Sequence, residues 1–226
     1  KAGVAYSGSR RKTGSMNMNE KLQNRLVQMA EEEKRLKNEL ASDGSLYEGY
    51  PKKIREFHLS QANELEGIVR IHGWPTISLV GEEGAEAAWL ILQNAISRPD
   101  FMKKCLPVFA NAVQEKEASI RHLSCLTDGI RYFSREPQVY GNYFDWNEEG
   151  QLVPWTIEDP ESVNEKRKMM GLNTLEERVR EMQDDARKNK LSPPKDYLER
   201  RSEMTVFLKE VGWLSRGTGV AAPGVS

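Results

Sequence analysis

The segment GEEGAEAAWLILQNA, Gly81 to Ala95, restricts the fold more than any other. It reads as a helix starting after Gly81, with Ala, Leu and Ile over most of its circumference, and a helix that is apolar nearly all round must be enclosed by other elements. Along one line of this helix, Glu82, Glu86, Trp89 and Gln93 fall within about 60° of one another at 100° per residue. An enclosed helix with two glutamates and a glutamine on one line needs both neighbours and an explanation.

Other periodic segments supply the neighbours. From about Asn19 to Ala41 the apolar residues recur as Leu22, Leu26, Met29, Leu36 and Leu40, a helical stripe that stops at the turn signal Ser42-Asp43-Gly44. A second helix is expected from Pro51, a favoured first position, to just before Gly73, a good residue for a left-handed cap. Its inner line reads Ile54, His58, Gln61, Leu65, Ile68 and His72. A fourth opens at Pro99 or Asp100 and runs to about Glu115, with Phe101, Cys105, Leu106 and Phe109 inward. A fifth covers about Lys116 to Phe133, burying Leu123, Leu126, Ile130 and Phe133, while Ser124, Asp128 and Arg131 share another face.

The pattern then changes. NYFDWNEEGQLVPWTI is aromatic and β-branched on either side of Asn147-Glu148-Glu149-Gly150, which predicts a small β-hairpin. Asp159-Pro160 and Gly171 bracket a further helix, and Thr174 with Glu177 forms a capping-box pattern for the next, which presents Leu175, Val179, Met182 and Ala186. Pro193-Pro194 precedes a last helix expected to be amphipathic, with Tyr197, Met204, Leu208 and Val211 on one face. The fold expected is mainly α: a multi-helix, bundle-like core of five helices with one small β-hairpin and a C-terminal helical arm. Its expected parts are a non-native or disordered leader over 1–15, the core with its hairpin over 16–156, the arm packed on the core over 157–214, and a disordered tail over 215–226.

Charge narrows the function classes. The net charge of −1 averages unlike parts, because Lys1, Arg10, Arg11 and Lys12 precede a body in which acids outnumber bases. A net-acidic body argues against nucleic acid as partner, since phosphate binding requires clustered Lys and Arg. No apolar run is long enough to span a bilayer, so no membrane partner is expected. Cys105 and Cys125 are too few for a disulfide framework or a metal knuckle and fit a reducing cytoplasm.

Three helices interrupt their own core stripes with hydrogen-bonding groups: Glu33, then His58 with Gln61, then Glu86 with Gln93. Buried polar groups without partners cost a few kcal/mol, so such groups are expected to meet one another, water or a ligand. The simpler alternative is that each stripe is partly solvated. Glu82 and Glu83 are explained by the dipole of a helix N-terminus and receive no site role. His122 reads as a boundary histidine. Trp74, beside Pro75, either caps the core or walls a pocket. There is no phosphate-cradling loop, no HExxH, no paired CxxC and no nucleophile elbow. Glu33, His58 and Glu86 have the residue types of a metal set but lack the paired Glu-x-x-His of di-iron bundles. No metal and no cofactor is therefore expected.

HGWPT, SLVGEEGAEAAWLILQNA, TDGIR, PQVYGNYFDW and IEDPESVNEKRKMMGL together resemble a bacterial family catalogued as a domain of unknown function. The resemblance covers about Met18 to Met182. Positions that match its pattern include Glu33, Trp74, Gly81, Trp89, Gln93, Asp128, Gln138, Tyr140 and Gly141. Three departures stand out: Asn94 where the pattern has His, Gly129 where it has Arg, and Asn142-Tyr143 where it has Thr-Gln. The resemblance implies no activity.

Two functions from different classes fit these residues. One is a binding module holding a small polar molecule or peptide in a polar pocket of the helical core. Its floor would be Glu33 and Gln93, joined by His58, Gln61, Glu86, Trp89 and Asn94, with Trp74 as wall and Gln138 and Tyr140 at the mouth. The other is a hydrolase in which Glu33 is general base with a pKa raised by burial, His58 is acid or base, and Gln93 or Asn94 orients substrate. A closed, self-satisfied network would leave a scaffold or partner-binding protein instead. A homodimer would cover the arm's apolar stripes, and so would packing within a monomer.

Overall fold

The computed structural model describes residues 18–42, 50–189 and 191–215. The expected leader over 1–15, all but Ser215 of the expected tail, and the turn at Asp43-Gly44 lie outside the described residues. Eight helices and one hairpin form the regular structure of the described residues: α1 (Glu20–Ser42), α2 (Lys52–His72), α3 (Ile77–Gln93), α4 (Pro99–Gln114), α5 (Ile120–Phe133), β1 (Phe144–Trp146), β2 (Leu152–Pro154), α6 (Val163–Met169), α7 (Leu175–Lys188) and α8 (Tyr197–Val211). The protein is mainly α. No described helix is long and apolar enough to cross a membrane.

The first three helices establish the site. Ion pairs and hydrogen bonds join Arg25 to Glu64, the Met29 carbonyl to Gln61, Glu33 to His58 and Glu39 to Lys53, so α1 and α2 run antiparallel. The Asn19 amide donates to the Leu79 carbonyl and Asn94 to Glu33, so α1 and α3 run parallel. Leu26, Met29, Leu65, Val80, Ala88 and Leu92 are buried where the three meet. Each large aliphatic side chain sealed from water there contributes about 1.5–3 kcal/mol. Gly81, at φ 70 and ψ 170, breaks the helical path inside α3, so the first turn from Ile77 is set off and the regular helix begins at Glu82, where the sequence puts it.

α4 and α5 close the far side, with Phe109 edge-on to Trp74 at 4.7 Å and tilted against Trp89 at 5.7 Å. α5 starts later than expected. The Ser119 side chain accepts from the His122 amide, and Lys116 has a positive φ of 60°, which no helix continues through. The hairpin pairs Phe144 with Pro154, Asp145 with Val153 and Trp146 with Leu152 around Gly150, as its turn residues require.

The C-terminal helices differ from one another. α7 carries the Thr174–Glu177 capping box, buries Ala186 and lies against β2. α8 turns the expected face inward, with Leu208 buried and Tyr197, Met204 and Val211 partly buried; Thr205 and Phe207 are buried as well, while Leu198 and Val206, off that face, are 69% and 53% exposed. Contacts from two directions hold it. Tyr50 meets Phe207 edge-on at 5.3 Å, and Trp213, beyond the left-handed Gly212 cap, lies on Phe133 and donates its indole N–H to the Ile96 carbonyl at 2.7 Å. Phe207, Leu208 and Trp213 therefore belong to the main core.

Gly129 and Tyr143 meet across the junction of α5 and the segment that leads into β1. A Cβ on Gly129 would lie 2.5 Å from the Tyr143 hydroxyl, so the Tyr143 ring, stacked on Tyr132 at 5.0 Å, occupies the space beside that position. Gly129→Ala is expected to cost about 2 kcal/mol, the scale of overpacking a fixed core. Adding Tyr143→Phe, which removes the nearest atom, should recover part of it. Urea midpoints of the single and double variants check this, and a Gly129→Ala protein as stable as the parent contradicts it.

Candidate functional site

Glu33 is the centre of a polar cluster between α1, α2 and α3. It is 1% exposed, yet its carboxylate is surrounded by groups from three helices. Oε1 accepts from Asn94 Nδ2 at 2.9 Å and from Lys37 Nζ at 2.5 Å, one helical turn along α1. His58 Nε2 approaches the same oxygen at 3.5 Å, an electrostatic contact too long for a well-formed hydrogen bond. Its Nδ1 lies 2.9 Å from the Tyr50 hydroxyl, which donates in the tautomer that carries hydrogen on Nε2. Burial pushes the Tyr50 phenol well above its ordinary value, so the hydroxyl keeps its proton. Gln61 donates to the Met29 carbonyl at 2.6 Å.

Three atoms of this cluster are buried without a hydrogen-bond partner among the described residues: Glu33 Oε2, His58 Nε2 and Gln61 Oε1. Unpaired polar atoms at such depth are uncommon and mark places where a further group belongs. For Glu33, burial pushes the carboxyl up, but the approach of His58 Nε2 and the hydrogen bond and positive charge of Lys37 outweigh it and hold the group below its ordinary value. The expectation of a carboxyl raised by burial is thus corrected, because it left out Lys37 four residues along the same helix. A depressed carboxyl stabilises the fold above its unfolded pKa, and the stabilisation is lost as pH falls through the lower folded value. The stability difference between the parent and Glu33→Gln should therefore narrow below about pH 4, read by denaturant titration at pH 7 and pH 3.5. A difference that does not change with pH contradicts the ion-paired carboxylate.

Glu33 also lines an open groove of about 1070 Å³ between α1, α3 and the start of α5. Val27 and Ala30 of α1, Trp89 and Leu90 of α3, and Phe109 of α4 make it apolar inside. Its rim is charged: Lys34 and Lys37 beside Glu33 and Glu31 at one end, and Glu82, Glu83 and Glu86 toward the other. At the acidic end His122 stacks flat on Trp89, with centroids 4.5 Å apart and planes 7° apart, and its Nε2 lies 3.7 Å from Glu86. Burial pushes the His122 pKa down, with Glu86 offsetting part, so the ring is mostly uncharged near pH 7.

The structure brings some of the sequence-selected residues together and separates others. Glu33, His58, Gln61 and Asn94 converge. Gln93 is exposed: one residue is a 100° step on a helix, and Asn94 at the C-cap is the one that turns inward. Glu86 and Trp89 line the groove but sit with His122, so Glu33, His58 and Glu86 are not gathered as a metal set. Among the described residues no three His, Cys, Asp or Glu side chains form one. Trp74 is core, buried on Phe109.

Gln138 and Tyr140 lie in a second network away from the groove. The buried Gln138 amide donates to the Tyr143 and Trp155 carbonyls and accepts from the Tyr143 amide, which fastens the loop to the hairpin. Asp128 accepts the backbone N–H groups of Val139, Tyr140 and Asn142, and buried Arg167 holds the Tyr140 carbonyl. Gly141, with φ 72°, makes a sharp turn in a conformation that glycine adopts readily. The sequence reading missed Tyr50, Lys37 and the rim role of Glu82 and Glu83. Only Lys37, at i+4 from Glu33, carried a local signal.

Fold and site together define a helical domain with a polar-ended groove and a buried carboxylate in its wall. The chain matches the family of unknown function DUF6624 over residues 20–191 and belongs to that family. No curated protein and no solved structure matches it.

Proposed function

We propose that the protein is a binding module whose α1–α3–α5 groove takes a small polar molecule or a peptide segment. One observation carries this reading: Glu33, an ionised and buried carboxylate, lines an open groove, and its Oε2 has no hydrogen-bond donor among the described residues. A ligand N–H or O–H placed there forms a charge-assisted hydrogen bond and removes a desolvation cost already present in the fold. The groove volume suits the upper range of small-molecule sites.

A hydrolase reading, with Glu33 as base and His58 as acid or base, has the Tyr50–His58–Glu33 line in its favour. It is weaker, because a carboxylate held below its ordinary pKa is a poor base near neutrality. Cys105 and Cys125 as free, largely buried thiols suit a cytoplasmic bacterial protein.

The test is a thermal-shift screen of polar small molecules and short peptides against the parent and Glu33→Gln. Glutamine keeps the shape and places an N–H donor where the unpartnered oxygen stood, reversing its polarity. Compounds that raise Tm for the parent should lose the effect in the variant, a weakening of roughly tenfold or more in affinity. Hits that bind both proteins equally overturn the reading.

A further inference from the structure

The two ends of the groove differ in charge, and the difference specifies a class of occupant. At the Glu33 end, two acids, Glu31 and Glu33, face two bases, Lys34 and Lys37, so a charged head gains little there. What that end offers is a hydrogen-bond acceptor, Glu33, 1% exposed, whose Oε2 has no donor among the described residues. At the other end Glu82, Glu83 and Glu86 line the groove with no Lys or Arg among its lining residues opposite them. Glu82 and Glu86 are one turn apart on the same face, close enough to act on one cation. Among the lining residues, the other titratable group at that end is His122, whose charged form is disfavoured by burial, with Glu86 offsetting part. A concave, partly apolar cleft with carboxylates of one sign at its end concentrates cations there.

Between the ends the lining is apolar. Ala87, Trp89 and Leu90 lie along α3 between Glu86 and Asn94, opposite Val27 and Ala30 of α1. Asn94 donates to the carboxylate of Glu33, so it marks the neutral end. From Glu86 to Asn94 is eight residues of helix, or about 12 Å along its axis. The occupant must therefore present a cation and a hydrogen-bond donor separated by about that distance, with nothing charged between.

We propose that the groove binds an elongated amphipathic amine, with its ammonium among Glu82, Glu83 and Glu86, its hydrocarbon along Trp89 and Leu90, and a hydroxyl or amino hydrogen at its far end donated to Glu33 Oε2. This rests on the reading of the groove as a binding site and names its ligand class. No bond is made or broken. A cation at both ends is tolerated, since the second ammonium also donates, but the structure requires charge at one end alone.

Isothermal titration in amine-free buffer with three probes of one chain length, 8-aminooctan-1-ol, octylamine and octan-1-ol, tests it. The first should bind roughly tenfold more tightly than the second, which lacks the far donor, and the second roughly tenfold more tightly than the third, which lacks the charge. Glu33→Gln should close the first gap and leave the second. Glu82→Gln/Glu83→Gln/Glu86→Gln, a change of exposed side chains that does not threaten the fold, should close the second gap and leave the first. Equal binding of octanol and the amines overturns the amine class. So does failure of all three probes while hits from the Glu33-dependent screen still bind, and in that case the binding-module reading stands. Probes that bind both variants as tightly as the parent place the amines outside the groove and also overturn the proposal.

Discussion

Replacing Arg167 with methionine is expected to destabilise the fold by about 3 kcal/mol, because hydrogen bonds from a charged donor to buried acceptors contribute about 1.5–3 kcal/mol each and methionine supplies none. Arg167 is 1% exposed. Its Nε donates to the Asn173 carbonyl at 2.7 Å, one terminal nitrogen to the Tyr140 carbonyl at 2.6 Å, and the other to the Asn173 side chain at 3.1 Å. Among the described residues no carboxylate forms an ion pair with it; carbonyl oxygens surround the guanidinium, and Asp128 and Glu181 act on its charge from further away. Methionine fills the volume but leaves those carbonyls unpaired in the interior. Lysine keeps the charge without the planar fork and should recover less than half of the loss. Urea midpoints measure both, and a methionine variant within 1 kcal/mol of the parent would show that the clamp contributes little.

Asp128→Ala should cost a similar amount, about 3 kcal/mol, from the other side of the same loop. The carboxylate accepts from the amides of Val139 at 2.8 Å, Tyr140 at 3.1 Å and Asn142 at 3.0 Å, and from the Asn142 side chain at 2.9 Å. Burial pushes the Asp128 carboxyl above its ordinary value, the four donated hydrogens only partly holding it down. Alanine relieves that desolvation but strands three backbone donors, and the stranded donors dominate. Asp128 and Arg167 grip opposite faces of the Tyr140 peptide neighbourhood, so the double variant should lose less than the sum of the two singles. Additive losses would mean that the two residues hold independent pieces of structure. Neither variant should alter binding in the groove, whose lining residues belong to a different network.

What was legible in the sequence follows the range of each signal. The starts and stops of α1, α2 and α4, the Thr174–Glu177 capping box and the Gly150 hairpin depend on residues a few positions apart, and all were readable. Glu33, His58 and Gln61 were readable as one cluster because each interrupts an apolar stripe, and burial then forces them together. The choice between Gln93 and Asn94 was not, since it depends on where the helix ends relative to α1. Gln138 and Tyr140 were read toward the pocket because nothing near them announces Arg167, 27 residues beyond Tyr140. The inward face of α8 was readable from its own stripe, but a stripe on a single helix cannot show that Tyr50 meets Phe207 or that Phe133 meets Trp213 just beyond the helix end. The acidic rim escaped notice for a different reason: Glu82 and Glu83 satisfy a local rule at a helix start, and a residue with one sufficient explanation hides its second role.

The central claim, that the groove beside Glu33 is the binding site, is tested most directly by NMR titration with the compound that raises Tm most in the screen. The structure places the Trp89 indole, the Asn94 side-chain amide and the His122 ring around the site. Their resonances should shift first and furthest, and in Glu33→Gln should need roughly tenfold more compound to shift as far. Shifts centred instead on Gln138, Tyr140 and Asn142, or shifts at Trp89 that persist unchanged in the variant, would contradict it.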